Sequence, residues 1–222
     1  MHTASQAVLH AWLSGEAGGD AIADALTGKV NPGGKLPISY PRSSGQIPVF
    51  YGHKVSGGRS YWRGEYVDMS NRPLYPFGFG MSYTTFELAR SPLGDPIVSA
   101  GDTIGVTVAV RNTGDVAGDE VVQLYTRDPV ASVTRPVLEL QAFARVSLDP
   151  GADATIDFDV AVADLGFHDR GGRYVVEPGE IEVLVGTSAT DLMAVGTVTV
   201  KGDPAVAAQR TFGNVARIRT AP

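Results

Sequence analysis

The chain contains no cysteine. Disulfides, thiolate metal centres and cysteine nucleophiles are therefore excluded, and the fold must be held by its own core. No apolar run approaches the roughly 20 residues that cross a bilayer, and the first residues lack the basic-then-apolar order of a secretory leader. Neither a membrane partner nor an export signal is read. Positive charge is scarce too: 18 Lys and Arg stand against 24 Asp and Glu, a net charge of −6. That sign opposes a phosphate backbone, so nucleic acid is not expected as a partner. His2, His10, His53 and His168 have no metal-ligand spacing, and no Lys-Ser or Lys-Thr follows Gly15, Gly18 and Gly19. Ser43, Ser44 and Ser82 lie in no nucleophile elbow. No metal, no cofactor and no serine-hydrolase chemistry are expected.

What is present falls into two halves. Residues 1–90 carry 8 basic and 6 acidic side chains, whereas residues 91–222 carry 10 and 18. Ala7, Val8, Ala11 and Trp12 recur at helical spacing, as do Ala21, Ile22, Ala25 and Leu26, which predicts two short helices. Gly15 ends the first; Asp20 is placed to cap the second, and Gly28 to close it in a left-handed conformation. From Asn31 to about Phe86, Pro32, Pro37, Pro41, Pro48, Pro73 and Pro76 forbid long helices. The many aromatics in this stretch need a surface to lie on, so it reads as an ordered, extended connector rather than a disordered linker.

Beyond Pro92 the period becomes two. Ile104, Val106, Val108 and Val110 alternate with Thr103, Gly105, Thr107 and Ala109, a half-buried strand that stops at Asn112-Thr113-Gly114. Further strands are expected at Glu120–Arg127, Leu138–Leu148, Ala154–Val160, Arg173–Glu177, Glu180–Gly186 and Met193–Val200, separated by turns such as Asp149-Pro150-Gly151 and Pro178-Gly179. That number and spacing predict a mainly β, immunoglobulin-like two-sheet sandwich. Residues 202–222 read as a surface tail.

Three stretches resemble the C-terminal part of glycoside hydrolase family 3, the β-glucosidase and β-xylosidase family. The first runs from Ala11-Trp12-Leu13-Ser14-Gly15-Glu16 through Thr27-Gly28 to Asn31-Pro32-Gly33-Gly34-Lys35-Leu36-Pro37. The second is Pro73-Leu74-Tyr75-Pro76-Phe77-Gly78-Phe79-Gly80-Met81-Ser82-Tyr83-Thr84, with Phe79 and Met81 where the family usually has Tyr and Leu. The third is Asn112-Thr113-Gly114 through Leu124-Tyr125, then Arg135-Pro136 and Glu177-Pro178-Gly179. The resemblance implies that residues 1–45 are the end of the family's α/β sandwich domain and 46–90 an aromatic connector. It implies further that 91–201 form a fibronectin type III-like sandwich, with 202–222 a tail. It also implies that the nucleophilic Asp and the general acid/base lie on segments upstream of these residues, making the chain a truncated or isolated piece.

Retaining glycosidases need two carboxyl groups about 5–5.5 Å apart flanking a sugar pocket. Glu16, Asp20 and Asp24 share a four-residue spacing, although acids opening a helix equally serve its dipole. Glu65 and Asp68 accompany Tyr61, Trp62, Arg63 and Tyr66, the mixture of rings and hydrogen-bonding groups found at sugar sites. The same rings equally suit anchoring to another domain. Asp119, Glu120, Asp153, Asp157 and Asp159 read as solvent-facing strand residues rather than a calcium cage.

Three functions follow as expectations. The first is the stabilising, cleft-shaping end of a family 3 enzyme, whose substrate would be a β-linked glucoside or xyloside and whose partners would be the missing catalytic domains. The second is a non-enzymatic carbohydrate-binding or adhesion module. The third is a minimal glycosidase using Glu16, Asp20, Glu65 or Asp68. Helices shaped to cover an absent sheet would expose Ala7, Trp12, Ile22 and Leu26, through which a homo-oligomer is expected.

Overall fold

The computed structural model describes residues 5–54, 68–204 and 210–220. Its one regular α-helix among the described residues is α1 (Gly18–Leu26). The strands are β1 (Phe86–Arg90), β2 (Ile97–Ser99), β3 (Thr103–Asn112), β4 (Gly118–Arg127), β5 (Glu139–Leu148) and β6 (Asp153–Ala161), followed by β7 (Phe167–His168), β8 (Tyr174–Val175), β9 (Gly179–Ser188), β10 (Asp191–Lys201) and β11 (Val215–Thr220). Among the described residues, one sheet has the order β1-β3-β6-β11 and the other β2-β10-β9-β4-β5, with β7 and β8 as a small separate pair.

Alternation explains how the sheets face each other. Ile104, Val106, Val108 and Val110 of β3 are all buried, as are Ala154, Ile156, Phe158 and Val160 of β6. The antiparallel register sets Val108 beside Ile156 and Val106 beside Phe158, so both strands turn their apolar rows to one side. Val122 and Leu124 of β4, Ile181, Val183 and Val185 of β9, and Val198 and Val200 of β10 supply the opposite layer of the same cluster. Burial of each such side chain contributes about 1.5–3 kcal/mol, and these facing rows dominate the stability of the sandwich.

The structure departs from the sequence reading in several places. Residues 7–14 form no helix. They run irregularly, with Trp12 in a left-handed backbone at φ 51°; Trp12 stacks on His10 at 4.0 Å, and Tyr40 Oη hydrogen-bonds His10 Nδ1 at 2.7 Å. So short a helix is not self-supporting, and Leu13 is fully exposed, leaving no packed face to hold one. Asp20 is not the cap of α1: Ala17 precedes the helix and Asp20 lies in its first turn, where its charge meets the dipole. The other end follows expectation. Gly28 has φ 78°, and its N–H bonds to the Ala25 carbonyl.

β1 arises within text read as connector, and β2 in a stretch where the sequence predicts no strand. β2 is only three residues long and pairs in parallel with β10. Arg173–Glu177 shrinks to β8, paired only with the two residues of β7. Residues 215–220, read as part of a surface tail, add β11 to the edge of β6.

Candidate functional site

Among the described residues, buried polar groups gather at a joint between the amino-terminal segment and the five-stranded sheet. β4 creates it. Its Val122 and Leu124 enter the sandwich core, yet Gln123 and Tyr125, which point the other way, are buried as well. The connector covers them. Tyr51 stacks on Phe77 at 4.5 Å and meets Tyr125 edge-on at 5.8 Å, while Leu138 and Leu184 complete this second apolar cluster.

The connector is ordered because its backbone groups find partners. Tyr40 N–H donates to the Tyr75 carbonyl at 2.8 Å and Leu74 N–H to the Tyr40 carbonyl at 2.7 Å. Leu36 N–H reaches the Phe79 carbonyl, and Gly78 N–H the Leu36 carbonyl, both at 2.8 Å. Gln46 is buried and joins both stretches: its Nε2 donates to the carbonyls of Asn71 at 2.9 Å and Arg72 at 3.1 Å, and its Oε1 accepts from Arg42 N–H at 2.7 Å.

Ions and amides then bolt the connector to β4. Lys35 Nζ lies 2.7 Å from Glu120 Oε1, with the two side chains only 12% and 8% exposed. The ammonium also donates to the Gly80 carbonyl at 3.2 Å, and Glu120 Oε1 accepts from Val121 N–H at 2.7 Å. Asn31 Nδ2 donates to the Ala117 carbonyl at 3.0 Å, while its Oδ1 accepts from Ser82 Oγ and Tyr83 N–H. Gly33 passes so close to β4 that a Cβ there would lie 2.6 Å from the Asp119 Cβ. Gln123 Nε2 donates to the Thr187 carbonyl at 2.7 Å, and the Tyr125 hydroxyl donates to its Oε1. Tyr83 Oη closes the contact to α1 by donating to the Ala25 carbonyl at 2.8 Å, satisfying one of the helix's terminal acceptors.

The same segment also leaves large apolar side chains exposed. Trp12 is 53% exposed and Leu26 69%; Leu13, Val30, Ile38, Ile47 and Met81 are exposed as well. The amino-terminal segment is thus packed and hydrogen-bonded to the sandwich while several of its apolar side chains stay exposed.

Carboxylates of β4 and β6 give the sandwich an expected pH response. The Ser147 hydroxyl and then the Arg145 guanidinium hold Asp119 below the ordinary 3.8. The Thr107 hydroxyl and then Arg219 do the same for Asp157. A depressed native pKa contributes stability that is complete above the unfolded value and vanishes as pH falls through the native one. Asp128 is shifted the opposite way: burial raises it despite Arg135, so its ionised form opposes folding. Urea midpoints measured from about pH 6 to about pH 2.5 should fall steeply below the ordinary carboxylate value, and Asp119→Asn with Asp157→Asn should flatten that fall.

The expected site residues are placed as follows. Glu16 lies in the turn before α1, Asp20 in the helix and Asp68 in a bend, all three exposed. Asp24 pairs with Lys29 at 3.0 Å. Tyr61, Trp62, Arg63, Glu65 and Tyr66 lie outside the described residues. Of the expected oligomer contacts, Ala7, Trp12 and Leu26 are exposed and Ile22 is half-buried. Among the described residues no three His, Asp or Glu side chains converge as metal ligands. The sequence reading missed Lys35, Gln46, Asn112 and Gln123. The signal available for Gln123 was a polar residue inside an apolar strand run.

Taken together, these features define a fibronectin type III-like β-sandwich with an amino-terminal segment fastened across one outer face. The fibronectin type III-like domain model matches residues 120–189, and the glycosyl hydrolase family 3 C-terminal domain model matches residues 1–83. The chain belongs to glycoside hydrolase family 3, of which it is a C-terminal region. It is 42% identical to the periplasmic β-glucosidase of Salmonella typhimurium over 83% of this chain and 25% of that protein. It is 43% identical to a β-xylosidase of Formosa agariphila over 87% of this chain and 27% of that one. The crystal structure of a β-glucosidase from Listeria innocua in complex with glucose superposes with a TM-score of 0.78 at 40% identity, over 85% of this chain and 27% of that chain. The chain thus spans about a quarter of the length of these relatives.

Proposed function

We propose that this region is the stabilising, cleft-shaping body of a β-glucosidase-type enzyme, in which the complete protein hydrolyses a terminal β-linked glucose or xylose with retention. The observation that carries this reading is the amino-terminal segment. It is bolted to β4 through Lys35–Glu120 and Gln123, and it leaves Trp12, Leu13, Leu26 and Met81 exposed. Such exposure suits a permanent partner of matching apolar character, here the upstream domains. In this reading residues 1–45 belong to that neighbouring α/β domain, 46–90 connect, 91–201 form the sandwich and 202–222 the tail.

The chemistry of a retaining glycosidase is then supplied from upstream. It requires an ionised nucleophile and a protonated acid on either side of the sugar, whereas Glu16, Asp20 and Asp68 lie exposed on the surface. The purified chain is expected to give no turnover of aryl β-glucosides or β-xylosides, and turnover should appear when the upstream domains are joined to it. Retained hydrolysis by the chain alone, abolished by a single carboxylate-to-amide change at Glu16, Asp20, Glu65 or Asp68, would establish the minimal-glycosidase reading instead. Without the partner surface, that exposure should drive self-association through Ala7, Trp12, Ile22 and Leu26. Light scattering is expected to give a mass above 23.3 kDa that returns towards the monomer in Trp12→Ser with Leu26→Ser.

Sugar contact, where the chain contributes it, is assigned to Tyr61, Trp62, Arg63 and Tyr66 on the strength of their residue types. Titration with soluble glucans should show saturable binding that disappears in Trp62→Ala and Tyr66→Ala. Indifference to every glucan would remove these four from the site.

A further inference from the structure

The last strand is attached differently from the rest of the sandwich. Asp164 is buried, and its carboxylate is spent on the tail. Oδ1 accepts from Thr211 N–H at 2.6 Å, the Thr211 hydroxyl at 3.1 Å and Phe212 N–H at 3.2 Å, and Oδ2 accepts from Gly213 N–H at 3.1 Å. Asn214 then bridges the two sheets: its Oδ1 accepts from Ala161 N–H at 3.0 Å and its Nδ2 donates to the Gln141 carbonyl at 3.1 Å. From there β11 runs antiparallel along β6, from Val215 opposite Asp159 to Thr220 opposite Ala154. Arg217 pairs with Asp159 at 2.6 Å and Arg219 with Asp157 at 2.7 Å.

Little of this strand enters the core. Ala216 alone of β11 packs against the main cluster, whereas Val215 and Ile218 are each 42% exposed. An open groove of about 290 Å³ remains between the tail and β5, lined by Leu140, Ala142, Phe143 and Ala216 among others. Phe212 holds a left-handed backbone at φ 52° with its ring exposed, a conformation that persists only where neighbouring bonds enforce it. Charge is complementary as well. Residues 204–222 carry Arg210, Arg217 and Arg219 and no acid, in a chain of net charge −6.

We propose that the β6 edge together with Asp164 is a strand-docking site for an extended, arginine-bearing segment of the type Thr-Phe-Gly-Asn-Val-Ala-Arg-Ile-Arg. The chain's own tail fills it as a separable ligand, and the tail of a second copy is the partner that fits the same site. Recognition is divided as in other added-strand complexes: backbone pairing supplies attachment, and the alternating arginines supply selectivity. Residues 202–210, which join β10 to the docked segment, have a maximal reach of about 30 Å. The two-sheet core formed by β3, β6, β4, β9 and β10 receives only Ala216 from β11.

The test uses the full chain. Arg217→Glu with Arg219→Glu sets the tail against Asp159 and Asp157 and leaves the docking site unaltered. A fluorescent peptide of residues 210–222 should bind this variant saturably, at least tenfold more tightly than it binds the unmodified chain, whose site is occupied. Adding Asp164→Asn should abolish that binding, and raising the salt concentration should weaken it. Amide hydrogen exchange on the unmodified chain is the second readout. Opening of residues 211–220 ahead of β3 and β4 supports a separable strand, whereas exchange of that segment only with the whole molecule overturns the proposal whatever the peptide does. Absence of peptide binding to a variant whose tail amides exchange freely while β3 and β4 stay protected overturns it equally.

Discussion

Glu120→Ala is expected to lower the unfolding free energy by about 3–5 kcal/mol, because it leaves the Lys35 ammonium charged and unpaired beneath the connector. The Gly80 carbonyl, 3.2 Å from Nζ, compensates for only part of the lost carboxylate. The ion pair itself is a different quantity from the cost of breaking it. Two charges buried together lose solvation that their attraction roughly repays, so Lys35→Met with Glu120→Leu should recover most of the loss and approach the unmodified stability. Equilibrium urea unfolding of the four chains separates the two terms. A Glu120→Ala midpoint unchanged from the parent would mean that the joint opens readily and that water reaches Lys35, against the burial of both side chains.

The second large effect is at Asn112, where β3 ends. The side chain has no exposed surface and makes four hydrogen bonds. Its Oδ1 accepts from the Thr84 hydroxyl at 2.7 Å and Gly114 N–H at 3.1 Å, and its Nδ2 donates to the carbonyls of Val116 at 2.8 Å and Leu148 at 3.0 Å. One amide thus fastens the end of the connector, the turn into β4 and the end of β5. Asn112→Ala leaves the Thr84 hydroxyl and the Leu148 carbonyl buried without this partner, at about 1–3 kcal/mol each, and removes the part-buried bonds to Gly114 and Val116, so a total loss of about 3–5 kcal/mol is expected once relaxation and water entry are allowed. Asn112→Asp keeps the two accepted bonds but turns the Nδ2 donor into an acceptor facing two carbonyls, so it should be no milder. Thermal melts of both variants beside Thr113→Ala, whose hydroxyl is exposed, provide the control.

Asn112 also shows how far the sequence can be read. The triplet Asn112-Thr113-Gly114 marks a strand end by its turn chemistry, and the strand does end there. Nothing local says that the amide is a four-way fastener, because Thr84, Val116 and Leu148 come together only when both sheets have formed. The helix read over residues 7–14 fails for the converse reason. Its spacing of apolar residues is helical, but no surface in the described fold receives the face that spacing would create. β11 is not legible in the sequence because Val215–Thr220 has a weak apolar row and two arginines; its strand conformation is imposed by the β6 edge and by Asp164, not by its own alternation. For the candidate site, residue types pointed to Glu16, Asp20 and Asp68, and these lie exposed, while the buried pair is formed by Lys35 and Glu120. Glu120 reads from the sequence as a solvent-facing strand residue, but it lies on the same side of β4 as Val122 and Leu124, near the start of the strand, where the folded amino-terminal segment brings Lys35 to it.

The sequence by itself determined the sandwich, through the period-two rows of β3, β6 and their partners, and the family, through long contiguous motifs. Both are properties of neighbouring residues and survive without knowledge of the fold. The tertiary structure alone decided that the outer face of β4 is covered, that Lys35 meets Glu120, and that the tail becomes a strand. Those outcomes depend on which distant surfaces close on one another, and desolvation and hydrogen-bond partnership exist only after they have closed.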